Sequence, residues 1–517
     1  MLKEKYDFKP TQLDLLVYEK VVPADHYLRK LKAAINFTPW RAQVADSYAS
    51  GMGRGAYDPV CLLKLLLLQF HYGLSDDRVI REAQVNLAFR FFLDLSLDAT
   101  LPEPSLLSQF RTRLGAERIE RIFQEIVGQA RAAGLVKDRL RLKDATHVLA
   151  NIAVPSTIQL VAQIRTQLLQ AIESFAPEET AARRQEAAMI RESTADLKDE
   201  ARLLRRVEHL RELVAWGEAW LTRVKEATPS ICTPPQQEAL ATALQLAHKI
   251  LKDREPKAGD QLRALSDPEA RRNKHGAYYD GYLLDVMMDA DSEIICGVDT
   301  LPANGDEAAN AKNLIEREEA AHGNDIEMLS IDRIGYNGAV LEAISDDPTG
   351  PQVTVYVPPK ESTSNHPGLF PPDDFTLNEA GDEVTCPAGQ TTRLRHRDDK
   401  DHAWQYRFSI KQCRDCPLRA QCQSPNSRQG RAVNKSDFQT QYRAAQQRAT
   451  TPEYKQIRKE HPRIERKLNE LVRWHDGRHV RYRGRLRVKV QYLLLAVVVN
   501  CKRIVRLLTA ASITQPV

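Results

Sequence analysis

Three acids sit where an acid is costly to place. Asp332 ends the apolar run I-E-M-L-S-I, and Gly335 and Asn337-Gly338 just beyond it are turn formers. Asp144 ends the alternating stretch R-L-R-L-K-D, in which Leu140, Leu142 and Asp144 share the inward face. Glu465 lies in the first turn of a helix that opens after His461-Pro462, beside a stripe of Ile464, Leu468, Leu471 and Val472. A single Asp at a strand end is most simply a cap or turn acceptor. Three acids in matching contexts point instead to a shared site. Two carboxylates about 5 Å apart repel by roughly 3 kcal/mol at an effective dielectric near 20. Such a cluster persists only by taking up protons or cations. Hard oxygen ligands with open positions favour Mg²⁺ or Mn²⁺. Two such ions can activate an attacking water or hydroxyl and stabilise the leaving oxygen of a phosphodiester.

A second constellation is sulfur. Cys386, Cys413, Cys416 and Cys422 fall within one polar, Pro-rich stretch, and Cys413-x-x-Cys416 is a knuckle. Four thiolates can hold one tetrahedral Zn²⁺ and leave no open position, which makes the expected zinc structural. His396 or His402 is the alternative for one of the four. Cys61, Cys232, Cys296 and Cys501 are scattered and read as packing residues. This is not a disulfide framework, and a reducing cytoplasm suits it.

The third is cationic. The net charge of +5 conceals fifteen Lys/Arg against five Asp/Glu over residues 441–489, a local balance of +10 that leaves the remainder near −5. A concentrated basic block in a near-neutral chain suits a polyanion. Arg463, Arg466, Lys467 and Arg473 surround Glu465. Arg478, Arg481 and Arg483 lie between Gly477 and Gly484 with Tyr482 among them, where the backbone can approach a ligand closely. Near the N-terminus, Gln109, Arg111 and Arg113 are expected on an exposed helix face, as side chains suited to phosphate and base edges.

The elements that must position these groups follow from periodicity. Residues 1–135 read as a helical domain for DNA binding or dimerisation. Helix starts stand at Asp58-Pro59, at Ser75 and at Pro104-Ser105, the last two forming a helix-turn-helix-like pair. Strands are expected over 139–153, 279–288, 293–300, 326–331 and 354–357, with a hairpin at 289–292 and a helix over 310–321. That order makes a five-stranded mixed α/β sheet, built from residues 136–155 and 266–358 and completed by 453–517. Two insertions interrupt it. Residues 156–265 are highly charged and helical, broken at Pro229 and Pro234-Pro235, and serve packing within a hairpin or between two copies. Residues 359–452 carry the cysteines. The longest apolar runs, 65–68 and 492–499, are too short to span a bilayer, and the N-terminus has no export signal, so no membrane partner is expected.

In combination, D-A-T-H-V-L-A-N, S-I-D-R-I-G-Y-N-G and I-E-R-K-L-N-E-L, with R-Y-R-G-R-L-R-V and N-C-K-R-I, resemble the Asp-Asp-Glu (DDE) transposases of bacterial insertion sequences. The N-terminal Y-D-P-V-C-L-L-K-L-L-L-L-Q-F-H-Y-G-L-S-D-D-R-V and P-S-L-L-S-Q-F-R-T-R-L are similar to that group's helical domain. The resemblance implies an RNase H-like fold in which the strands bearing the two aspartates are parallel neighbours. It implies that Asp144, Asp332 and Glu465 hold two Mg²⁺ or Mn²⁺ ions. The partners implied are the double-stranded DNA of terminal inverted repeats and a target, with a homodimer in the DNA complex, at the nucleoid of a bacterial cytoplasm. A regulator of transposase descent that no longer cuts, or a nuclease without strand transfer, would share much of this sequence. One departure is visible. Slots that often hold Tyr, Arg and Lys around the glutamate here hold Arg458, His461 and Val472. The phosphate-binding role then passes to Arg458, Arg463, Lys467 or Arg478.

Overall fold

The computed structural model describes residues 2–514 except 4, 5, 7, 50–54, 228–229, 256–258 and 362–367, and of 511–514 the backbone alone. The sheet is registered on β1 (Arg141–Leu149). On one side β1 pairs antiparallel with β3 (Ala277–Asp289), Asp144 opposite Val286. On the other it pairs parallel with β5 (Met328–Ser330), Leu142 opposite Ser330. β5 continues parallel to β6 (Thr354–Tyr356), and β4 (Ile295–Pro302) pairs antiparallel with β3. The resulting order, β4-β3-β1-β5-β6, is the expected mixed sheet with the two aspartate strands parallel and adjacent.

Two differences from the sequence reading have local causes. Among the described residues the sheet has six strands, because β2 (Arg271–His275) pairs with the first half of β3. Its polar R-R-N-K-H has no alternation to read, and Gly276, at φ 71°, makes the turn. β4 begins at Ile295 because the hairpin is longer than 289–292. The Asp289 carboxylate accepts from the Ser292 N–H and hydroxyl, and Glu293 takes φ 58°, which no strand continues.

The N-terminal helices and the sheet share one apolar core, from Leu28 through Phe70, Ile122, Leu142 and Val286 to Val505. The run after Ser75 is two helices, Asp76–Val85 and Leu87–Leu93. Asn86 between them caps the second by accepting from the Ala88 and Phe89 N–H groups. The helix opened by Pro104 runs to Ala132 and bends at Gly115, at φ 63°. It packs along the apolar helix Arg485–Thr514.

Among the described residues the first insertion is four helices, Thr157–Glu173, Pro177–Ser193, Asp199–Glu226 and Pro234–Lys252, around their own core of Ile164, Leu168, Leu210 and Leu244. Pro229 lies outside the described residues. The second insertion holds two small three-stranded sheets over a core of Phe375, Val384, Tyr406 and Phe408. No helix among the described residues is long and apolar enough to cross a membrane.

Candidate active site

The parallel register decides where the aspartates meet. Leu142 lies opposite Ser330, so two residues further along each chain come Asp144 and Asp332, on the same face of neighbouring strands. Asp144 is half-buried, and its carboxylate accepts from the Ala145 N–H at 2.8 Å. Asp332 caps the short helical turn Arg333–Gly335 by accepting from the Ile334 N–H at 3.1 Å, which holds the carboxylate at the strand end. Glu465 stands exposed on the helix Pro462–Asn469, whose buried Ile464 and Leu468 face the core as it packs on β1 and β3. All three acids line one open cleft of about 1360 Å³, with Thr146, His275, Glu307, Val472 and Arg478.

Burial pushes the Asp144 carboxyl up to about 7, and the nearby Asp332 and Glu307 push the same way against the Ala145 N–H and Lys143. Burial likewise raises Glu307, whose neighbours include Asp285 and Asp332. Among the described residues, none of Asp144, Asp332 and Glu465 has a Lys, Arg or His at ion-pair distance. A half-buried acid beside other acids, with no cation of its own, is a donor set that suits a divalent ion. The trio is wider than a closed chelate. Among the described residues, the one group of three such ligand atoms within 4.8 Å of one another is Glu186, His209 and Glu212, in the helical insertion.

Cations surround the cleft unequally. Arg478 reaches it because residues 478–480 add to the end of β1. The Leu149 N–H donates to the Arg478 carbonyl at 2.8 Å, and the Val480 N–H to the Leu149 carbonyl at 3.0 Å. The Arg478 guanidinium donates to the His147 carbonyl, and it lines the cleft. Arg458 donates to the Ile331 carbonyl at 2.8 Å and to the Ser330 hydroxyl at 3.1 Å, bracing the strand end that carries Asp332. Arg463 donates to the Ala290 carbonyl at 2.7 Å. Arg483 is exposed and donates to the Asn151 carbonyl, and Arg481 donates to the Leu74 carbonyl beside the Phe70 ring. Arg113 is exposed over the Tyr48 ring.

Two expected phosphate contacts are corrected. Arg111 is buried, not exposed. It forms a two-bonded pair with Asp76, at 2.9 and 2.6 Å, under the Tyr482 ring. Lys467 is buried and paired with Glu470 at 2.8 Å. The first joins two helices, and the second is a local pair three residues apart along one helical run. The slots that depart from the family also look inward. His461 is buried against the Ser330 hydroxyl at 3.1 Å, its imidazole pushed down to about 3 by burial and Arg458. Val472 gives the cleft an apolar wall.

Glu307 and His275 went unread in the sequence. Glu307 follows Asp306 in a turn after β4, and an acidic pair just past a strand was the available signal. His275 closes β2, which had no signal, and stacks on His147 at 4.7 Å.

The four expected cysteines line one cavity with Phe375, Phe408 and Arg431. Cys386 opens a tight turn, its carbonyl accepting from the Gly389 N–H, with Gly389 at φ 77°. Burial pushes the Cys422 thiol up to about 11; Arg431 opposes this, and Cys413, Cys386 and Cys416 add to it. No three of the sulfurs lie within 4.8 Å of one another. His396 and His402 do not line this cavity.

Two family models match this chain. Residues 16–113 match a Transposase domain (DUF772), and residues 385–505 match a Transposase DDE domain. The second match spans Glu465, Arg478 and the four cysteines and begins after both aspartates. No curated protein and no solved structure matches the chain.

Proposed function

Since the chain belongs to the DDE transposases of insertion sequences, we propose that it cleaves DNA at the element's terminal inverted repeats and transfers the freed 3′-hydroxyls to target DNA. The observation that carries this reading is the one cleft that Asp144, Asp332 and Glu465 line, with no Lys, Arg or His at ion-pair distance from any of them among the described residues. Two divalent ions, Mg²⁺ or Mn²⁺, held by these three acids would supply the activated nucleophile and the stabilised leaving oxygen. By the family resemblance, Asp144 would be the ligand shared by the ions, and Asp332 and Glu465 their other ligands. Burial and the neighbouring acids raise the Asp144 carboxyl to about 7, so an ion held there would compete with a proton. Arg478 lies where it can hold the phosphate that enters the cleft. In cleavage, a water oxygen bonds to phosphorus as the bond to the 3′-oxygen breaks. In transfer, that 3′-hydroxyl attacks a target phosphodiester and displaces the target's own 3′-oxygen.

The rest of the chain serves this cleft. Residues 1–135 position DNA ends or a second copy in a homodimer, at the nucleoid of a bacterial cytoplasm. Cys386, Cys413, Cys416 and Cys422 bind one Zn²⁺ that orders the second insertion. The four thiols already line one cavity and would have to draw closer together to hold it.

The test is cleavage of a labelled end fragment with Mg²⁺. Asp332→Asn and Glu465→Gln each abolish cleavage while DNA binding persists, and near wild-type cleavage by either removes that residue from the site. Products joined to a target plasmid separate a transposase from a simple nuclease.

A further inference from the structure

In the helical insertion, three helices turn four arginines toward one open pocket. Arg165 comes from Thr157–Glu173, Arg184 and Arg191 from Pro177–Ser193, and Arg206 from Asp199–Glu226. Arg184 and Arg191 are seven residues apart, so they lie on one helix face. Ala162, Ala187 and Ala188 line the space between, and their short side chains keep it open. Among the described residues, no carboxylate lines this cavity.

The arginines are poorly answered. Arg165 is only 5% exposed; its Nη2 meets His209 Nδ1 at 2.5 Å, and its Nε is buried without a partner. Arg206 also has a buried Nε without a partner. Among the described residues, neither Arg206 nor Arg191 has an ion pair. Arg184 pairs with Glu173, while the nearby Glu186 is engaged by Arg183 and His209. Burial pushes Arg165 down to about 10, with Arg206 and Arg205 adding to it and Glu186 opposing. Burial, Arg202 and Arg191 lower Arg206. Arg165 is buried and Arg206 half-buried, and among the described residues neither has a carboxylate at ion-pair distance; with the exposed Arg184 and Arg191 beside them, that is a costly arrangement which an anion offsets. Their planar forks of donors match phosphate oxygens.

We propose that this cavity is a phosphate-binding site formed by Arg165, Arg184, Arg191 and Arg206. A DNA backbone and a free phosphate compound present the same oxyanion, and the experiment separates them. The site stands independently of the chemistry proposed for the acidic cleft. Its occupation by DNA would carry the duplex over the helical insertion.

The test uses the full chain and the double variant Arg191→Gln/Arg206→Gln, which keeps the side-chain stems. Arg211→Ala, exposed on the same helix as Arg206, is the control. Inorganic phosphate, against chloride at equal ionic strength, raises the melting temperature of the wild type and of the control but not of the double variant. Without phosphate the double variant melts no lower than the wild type, because removing the charges relieves repulsion. If the slope of log K for DNA against log[salt] also falls by about 0.9 for each DNA phosphate that is no longer neutralised, the source is the DNA backbone. An unchanged slope with the phosphate response abolished assigns the site to a free phosphate compound. An equal phosphate response in wild type and double variant, or the same loss in Arg211→Ala, overturns the proposal.

Discussion

β1 carries two electrostatic arrangements on its two faces. On one face Arg141 and Lys143 are fully buried, and each is answered. Arg141 pairs with Glu318 at 2.6 Å and Asp289 at 3.1 Å, Arg131 joins Glu318 at 2.5 Å, and Lys143 pairs with Asp285 at 2.9 Å. On the other face, one residue along, Asp144 has acids for neighbours and, among the described residues, no cation at ion-pair distance. Burial raises Asp285 and Asp289 as it raises Asp144, but Lys143 and Arg141 pull the first two back, whereas for Asp144 the weaker pull of Lys143 is opposed by Asp332 and Glu307. The fold thus neutralises buried acids on one side of a strand and leaves the other side open. That asymmetry is what the proposed divalent ions would answer.

The largest expected effect comes from removing the open charge. Asp144→Asn keeps the side-chain shape and lowers single-turnover end cleavage with Mg²⁺ by at least about 10⁴-fold. A loss smaller than tenfold would place the bridging role elsewhere.

Next is the answered face. Glu318→Ala strands Arg141 and Arg131 without their shared carboxylate and costs about 3–5 kcal/mol of stability. Denaturant unfolding reads this directly, and an unchanged midpoint would show that Asp138 and Asp289 suffice for both arginines.

A smaller effect, of opposite sign, separates the two faces at one residue. The Asp144 carboxyl has an ordinary value of 3.8 and rises to about 7 in the fold. Its stabilisation is therefore complete below about pH 4 and is lost as pH climbs through 7. With EDTA present, Asp144→Asn is more stable than the wild type at pH 8 by on the order of 2 kcal/mol, discounted because the carboxylate is part-exposed, and the difference vanishes near pH 4. Melting curves at the two pH values check it; a variant less stable at pH 8 would mean the acid is already neutralised within the chain.

The smallest effect sharpens the contrast among cations. Arg478→Ala lowers the salt slope of DNA binding by about 0.9. Arg111→Ala and Lys467→Ala leave that slope unchanged and lower the melting temperature instead, since their charges are taken up by Asp76 and Glu470. A reduced slope in either would mean that its ion pair opens to DNA.

The sequence by itself determined a good part of this protein. Alternation and apolar runs located β1, β3, β5 and β6, because a strand's period of two is a local property. Turn formers placed Asp332 at a strand end, and the cysteine spacing marked a sulfur cavity. The motifs together carried the family. Tertiary structure alone decided which charges face each other. Asp144 and Asp332 are neighbours because two short parallel strands hold one register. Arg141 meets Glu318 across 177 residues of chain, and Arg111 turns inward because Asp76 waits there. Glu307, β2 and the arginine cavity went unread for the same reason. A side chain's period shows whether its face is covered, but the partner that covers it comes from elsewhere in the chain. For a charged residue, that distant partner is the difference between a lock inside the fold and a group left open for DNA or metal.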